Sequence, residues 1–210
     1  MKWDRRLTVF LLTLAPVVLW SAIHPFDTLT WWLEIAPAAL AIPLILATQH
    51  RLPLSSLLLL LVWLHSVLLL VGGHYTYARV PLGFWMSDWF GWPRNNYDKL
   101  GHFRQGLVPA IATRELLCRT SPLGDIGRGR RSGWLPFLVI SVCMAVSAWY
   151  ELLEWLAAVA AGAATEDFLG TQGYVWDTQS DMALCFGGAV AAVVLLHRPH
   201  DRSMAALPPR

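Results

Sequence analysis

Three short stretches hold most of the residues able to do chemistry in this 210-residue chain: NNYDKLGHFRQG (95–106), WYELLEW (149–155) and GYVWDTQSDM (173–182). In the first, Asp98, His102 and Gln105 stand at i, i+4 and i+7; Glu151 and Glu154 are three apart in the second, and Asp177 and Asp181 four apart in the third. On a helix each set occupies one face. Carboxylates with one or two imidazoles form a donor set for a divalent cation, and the excess of oxygen over nitrogen suits zinc, manganese or magnesium without choosing among them. The candidate metal ligands are His102, Glu154, Asp98 and Asp177, with His74 from GGHYTY (72–77). Glu151 and Asp181 are the candidate catalytic groups, and Lys99, Gln105, Gln172 and Gln179 complete a polar network.

What must position these groups is a membrane bundle. The chain is 56% hydrophobic and 14% charged, far more apolar than a soluble domain. Several runs reach the roughly 17–25 residues that cross a hydrocarbon core. Six spans are expected, at about 7–23, 31–48, 54–73, 98–118, 134–160 and 177–197, giving an all-α bundle in one membrane domain. Pro37 and Pro43 in the second are tolerated where neighbouring helices satisfy the freed carbonyls. Trp20, two positions before Ala22, is too large for a small-x-small cleavage site, so the first span reads as retained. Cys118, Cys143 and Cys185 fall on different apolar segments without a CxxC pair, which points to core packing rather than disulfides or thiolate ligation.

With six crossings both termini share a side. That side carries Lys2, Arg5, Arg6, Arg51, Arg119, Arg128, Arg130, Arg131, Arg198, Arg202 and Arg210, against only Arg79 and Arg94 on the other. The positive-inside rule therefore sets both termini in the cytoplasm. The acidic residues reverse the pattern. Asp27, Glu34, Asp88, Glu166 and Asp167 lie on or near the outer face, and Asp4, Glu115, Asp125 and Asp201 remain for the inner one.

Depth sharpens the reading. At about 1.5 Å per residue, His102 lies roughly 6 Å below Asp98, and Asp181 roughly 6 Å below Asp177. Glu154 and Glu151 come about 9 and 14 Å below the outer end of the fifth span. Three helices thus bring ionisable groups to one outer layer. A charge at the centre of a membrane helix costs at least about 2.5–3.5 kcal/mol, so these groups should face inward onto a shared cavity open to the periplasm. A plainer reading gives Asp98 and Asp177 the work of helix capping, with Lys99 or Arg104 neutralising a carboxylate as structural glue.

Other histidines fit less well. His65 lies mid-span and is expected to hydrogen-bond between helices; His24 and His50 are interfacial; His197 and His200 sit at the cytoplasmic end, out of reach. Residues 74–97, with Phe84, Trp85, Trp89, Phe90 and Trp92, are too aromatic for a solvated loop. They suit a segment lying in the outer interface, as an aromatic anchor or a gate beside the cavity. Gly170 and Gly173 bracket Thr171 and Gln172 in what reads as a tight turn; no Lys follows, so it is not a phosphate loop. Neither GxSxG nor HExxH occurs. The Gly- and Arg-rich stretch 119–133 suits anionic lipid, and Arg114 and Glu115 are expected to form ion pairs within or between helices. No basic block points to nucleic acid.

Together with GGHYTY, the blocks NNYDKLGHFRQG, WYELLEW and FLGTQGYVWDTQSDM resemble the YjdF-like family of bacterial inner-membrane proteins, over about residues 60–190. That resemblance implies a multi-span protein of the bacterial inner (cytoplasmic) membrane and no particular reaction. More distantly, DKLGHF, the later Glu, and Asp181 before Gly187 and Gly188 are similar to VanZ-like membrane proteins, some of which are linked to glycopeptide tolerance. The arginine those proteins carry shortly before the Asp is absent from GYVWDTQSD.

The leading expectation is a periplasm-facing acidic/His site that binds a divalent metal and acts on a lipid or envelope amphiphile, by metal-assisted hydrolysis or transfer if it is an enzyme. The alternatives are a small ion-coupled transporter and a non-catalytic envelope structural or interaction protein. Against transport, no inverted repeat is visible and few polar groups continue inward.

Overall fold

In hydrocarbon a backbone can hydrogen-bond only to itself, so long apolar runs are driven into helices. The computed structural model describes residues 4–123, 133–161 and 172–207. Lys2, Asp125, Arg128, Arg130, Arg131, Glu166, Asp167, Gly170, Thr171 and Arg210, weighed above, lie outside the described residues. The described elements are α1 (Arg5–Ala22), α2 (Thr28–Thr48), α3 (Ser56–Tyr75), a 3-10 turn (Tyr77–Arg79), α4 (Pro81–Phe90), α5 (Tyr97–Thr120), α6 (Trp134–Ala161), α7 (Asp177–Leu195) and α8 (His197–Ala205).

Five of these helices (α1, α2, α3, α6 and α7) are long and apolar enough to cross a membrane. Their outward faces carry Leu12, Leu40 and Trp149 with 67–75% of their surface exposed, a surface that suits lipid and not water. α5 differs. It is as long as the others, but its first two turns carry Asp98, Lys99, His102 and Arg104. The sixth expected span ends at Leu195, and the chain continues as a separate short helix, α8.

Side chains close the helix ends. Asp27 accepts from the Thr30 N–H at 2.7 Å, Ser55 accepts from the Leu58 N–H at 3.4 Å, and Gly91 ends α4 at φ +66°. Asp4 accepts from the Arg6 N–H and guanidinium, which hold its carboxyl below the usual range.

Two packed groups share α3. On one side Leu7, Phe10 and Leu14 of α1 meet Trp31 and Ile35 of α2 and Leu59 and Leu70 of α3. Ser21 ties the same three helices together, accepting from Trp31 Nε1 at 2.9 Å and donating to the Leu70 carbonyl at 2.6 Å. On the other side Leu58 of α3 packs with Ala110 and Ile111 of α5, Val139 and Cys143 of α6, and Cys185, Ala189 and Ala192 of α7. Cys143 and Cys185 are buried, Cys118 is partly so, and all three are free thiols.

α5 and α7 approach each other closely. A Cβ on Gly106 would overlap the Cys185 carbonyl, and one on Gly188 would overlap that of Phe103. Two glycines, each facing the other helix's backbone, let the axes come together as small residues do in membrane interfaces.

At the far end of α5, roughly 26 Å from Asp98 along the axis, Glu115 is buried. It accepts from the Ser55 N–H at 2.9 Å and from Arg119 at 2.7 Å, and its other oxygen lies 3.0 Å from His200 Nε2. Arg114 donates to His200 Nδ1 at 3.0 Å and to Asp201 at 2.7 Å. An arginine donating to Nδ1 fixes His200 as the Nε2–H tautomer, which in turn donates to Glu115. Ser203 accepts from the Leu57 N–H at 2.9 Å. α8 is thereby fastened to the starts of α3 and the end of α5, and the expected ion pairs of Arg114 and Glu115 form with Asp201 and Arg119 rather than with each other.

Gly106→Ala and Gly188→Ala should each lower stability by at least about 1–3 kcal/mol, because the added methyl meets backbone that cannot rotate away. Gly133→Ala, whose Cβ meets nothing within 4 Å, is the control. Unfolding in detergent followed by circular dichroism checks the ranking. Asp27→Ala should cost about 1 kcal/mol at neutral pH. The Thr30 N–H holds the Asp27 carboxyl below its ordinary range. This contribution is therefore full above about pH 3.9 and lost as the pH falls through the lowered folded value. Melting curves of the two proteins should differ at pH 7 and converge in strong acid.

Candidate functional site

The start of α5 is set by the preceding loop. Asn95 accepts from the Tyr97 N–H at 3.0 Å and donates to the Val80 carbonyl at 2.9 Å, and the Tyr97 hydroxyl donates to the Leu68 carbonyl of α3 at 2.9 Å. Gly83 of α4 lies against the Asn95 amide, where a side chain would collide. Ser87 donates to the Arg94 carbonyl. These bonds fix where α5 begins and hence which way its first turn faces.

From that turn the side chains converge on α7 and α6. His102 Nε2 lies 3.2 Å from Asp98 Oδ1 and 3.9 Å from Asp181 Oδ2. Its Nδ1 is 2.9 Å from Gln105 Oε1 and 3.8 Å from Glu151 Oε1. All four ionisable groups are buried. One donor atom each from Asp98, His102 and Asp181 lies within 4.8 Å of the others. Donors about 2.0–2.2 Å from one ion lie roughly 3–4 Å apart, as His102 Nε2 does from Asp98 and from Asp181; a spread of up to 4.8 Å would have to tighten to share one cation.

Lys99 stands on the other side of Asp181. Its ammonium donates to Asp177 and Asp181 at 2.7 Å each and lies 4.0 Å from Asp98. Arg94 joins at Asp177, 2.8 Å away, with its guanidinium 4.5 Å above the Tyr174 ring. Two cations thus serve Asp177, while Asp181 is shared between Lys99 and the side facing His102. Glu151 Oε1 has no hydrogen-bond partner, and 3.8 Å is too far for one to His102.

The expected residues divide clearly. Asp98, His102, Asp181, Glu151, Lys99 and Gln105 come together. Asp177 joins through Lys99 and Arg94 rather than facing His102, and Glu154 follows one turn beyond Glu151. Gln172 donates to the Asn95 carbonyl at 2.8 Å, and Gln179 points outward, exposed. His74 is elsewhere: its Nδ1 lies 3.2 Å from the Ser21 carbonyl and its ring 4.3 Å from that of Trp20. Neither Asp98 nor Asp177 caps its helix; both lie in the first turn with their carboxylates on side-chain partners. Among the described residues Arg104 pairs with no carboxylate and points to the Leu61 carbonyl at 3.4 Å. His65, expected to bond between helices, has an unpartnered Nδ1.

Two further residues matter that the spacing did not single out as site residues. Arg94 was one of only two cations expected on its side of the membrane. Glu34 is the lone carboxylate of the apolar WWLEIAP; it is buried and accepts from the Tyr77 N–H at 3.1 Å. It thereby holds the corner at Thr76, whose φ of +61° is unfavourable for a β-branched residue.

The aromatic segment 74–97 is largely helical. Gly83 and Ser87 of α4 face inward, while Phe84, Trp85, Trp89 and Phe90 are exposed, as an interfacial anchor requires. Beside the cluster, α2, α3, α5 and α6 line a partly open apolar cavity of about 320 Å³, with His102, Gln105 and Tyr150 at one end.

Apolar outer faces on a helical bundle, around a buried acidic and imidazole cluster, define a polytopic membrane protein. The chain belongs to the family described as "Predicted membrane protein (DUF2238)", whose pattern matches residues 6–202. It is 50% identical over 193 residues to the inner membrane protein YjdF of Escherichia coli (strain K12), covering 92% of this chain and 90% of that protein. It is a multi-pass protein of the bacterial inner membrane, as the resemblance to YjdF-like proteins implied. No solved structure matches.

Lys99→Met should strand Asp181, Asp177 keeping Arg94, and lower stability by about 3 kcal/mol. Adding Asp181→Asn should recover part of the loss, giving a coupling of about 0.5–3 kcal/mol in a double-mutant cycle read by unfolding in detergent. Strict additivity would mean that the ammonium and carboxylate do not interact.

Proposed function

We propose that the protein crosses the inner membrane six times with both termini cytoplasmic, α5 being the sixth span. Near the periplasmic face it holds a divalent cation on Asp98, His102 and Asp181 to handle a lipid or envelope amphiphile. The observation that carries this reading is the meeting of three ligand atoms, from α5 and α7, within 4.8 Å.

The surroundings of His102 support it. Metal-bound histidines commonly donate the other ring N–H to an oxygen acceptor, and Gln105 Oε1 stands at that position. The Nε2 lone pair then faces Asp98 and Asp181. A divalent ion there supplies Lewis acidity for polarising a head-group oxygen. Glu151, at the edge of the cluster without a hydrogen bond to Oε1, is placed to accept a proton from an attacking or bound group. α5, despite its charges, packs between α3, α6 and α7, which supports its crossing inside the bundle rather than against lipid.

One observation favours a second reading. Lys99 already neutralises two carboxylates, as in an ion network whose role is to hold α5 and α7 together. The readings separate by metal content. Under the first, purified protein carries about one divalent ion per chain by elemental analysis, and His102→Ala lowers that at least tenfold. Under the second, wild type carries none, and neutralising the cluster reduces folded yield alone. Stoichiometric metal persisting in His102→Ala would remove His102 from the site.

A further inference from the structure

We infer that the cavity beside the cluster holds the single hydrocarbon chain of a membrane amphiphile whose head-group ammonium donates a hydrogen bond to Glu151 beside His102. The inference deepens the amphiphile part of the proposed function and rests on that part alone; the cation has no role in it.

The shape argues for one chain. The cavity runs along α5 from Gly101 to Thr113 and measures about 320 Å³. A cavity of about 150 Å³ takes one benzene, so this one takes about a dozen carbons, and twelve residues, about 18 Å of helix, lay them out in line as one chain. The walls are small or aliphatic: Ala38 and Ala41 from α2, Val62 and Leu69 from α3, Ala112 from α5 and Val146 from α6. Such a space does not hold water stably, and apolar molecules enter it. In a bilayer the neighbouring solvent is itself made of chains that fit.

The two ends differ. His102, Gln105 and Tyr150 line one end, and Glu151 Oε1 lies just beyond that lining, 3.8 Å from His102 Nδ1. The Glu151 side chain is 7% exposed, and its Oε1 accepts no hydrogen bond. A buried carboxylate oxygen left without a donor is costly, and Lys99 and Arg94, the nearby cations, are engaged by Asp177 and Asp181. A donor arriving on a ligand satisfies it.

The test uses full-length protein in amphipol, with EDTA present throughout so that cation binding cannot contribute. Palmitoyl lysophosphatidylethanolamine is titrated and read by native mass spectrometry. The expected result is one molecule per chain, with glycerophosphoethanolamine, which lacks the chain, not retained. Ala41→Leu and Ala112→Leu fill the cavity from two different helices and should each weaken binding at least tenfold. Either alone suffices if the other fails to fold. The palmitoyl lysophosphatidate, with no amine, should bind at least fivefold more weakly. Equal binding by wild type and a folded filled variant, or none by wild type, overturns the inference. A lysophosphatidate that binds as well overturns the head-group assignment. Metal content of the same variants, measured without EDTA, should match wild type, so a failed cation site and an empty cavity give different results.

Discussion

The arrangement depends on one contact, the crossing of α5 and α7 at Gly106 and Gly188. Each glycine lies against the other helix's backbone, so the two axes are nearer than any pair with side chains between them would allow. That approach lets Lys99, on α5, bond to Asp181 on α7 at 2.7 Å and brings His102 to 3.9 Å from it. Separating the axes by the thickness of a methyl group would open the 2.7 Å contacts of Lys99 beyond hydrogen-bonding range. The polar cluster therefore inherits its geometry from two residues that have no polar side chain. The thiols of Cys143 and Cys185, buried in the same seam, fill it without adding charge.

The second constraint is electrostatic. Asp98, Asp177, Asp181 and Glu151 are all withdrawn from solvent, and buried charges persist only when paired or shared. Arg94 and Lys99 satisfy Asp177 and part of Asp181, while His102 serves Asp98. What remains is an oxygen of Asp181 and one of Glu151, each facing His102 beyond hydrogen-bonding range. The site is thus divided into a half that is internally balanced and a half with acceptors to spare. The division follows helix rotation: Lys99 is one residue after Asp98 and points to α7, whereas His102, one turn on, points between α7 and α6.

Much of this was legible in the sequence. Each expected span coincides with a helix to within a few residues, because apolar runs in hydrocarbon admit few alternatives. The i, i+4 spacing of Asp98 and His102 put them on one face, and they meet. Depth counting brought Glu151 and Asp181 to the same layer, and they meet His102. Depth alone cannot say where around the bundle a residue lies, which is why His74, at a suitable level, turns out to face Ser21 and Trp20. It also cannot see a loop residue folding back, as Arg94 does onto Asp177. α8 was hidden because its partners, Glu115 and Leu57, are distant in sequence and its own face is mostly polar. Glu34 was visible as an oddity in an apolar run, but its work at the Thr76 corner required the fold.

The fastening of α8 at the opposite end has a mechanical consequence. It clasps the first turn of α3 to the last turns of α5 through Glu115, His200 and Ser203, and these two helices form facing walls of the cavity. At the other end the Tyr97 hydroxyl ties α5 to the Leu68 carbonyl of α3. The two walls are therefore pinned at both ends, and neither can swing away from the other as a rigid body.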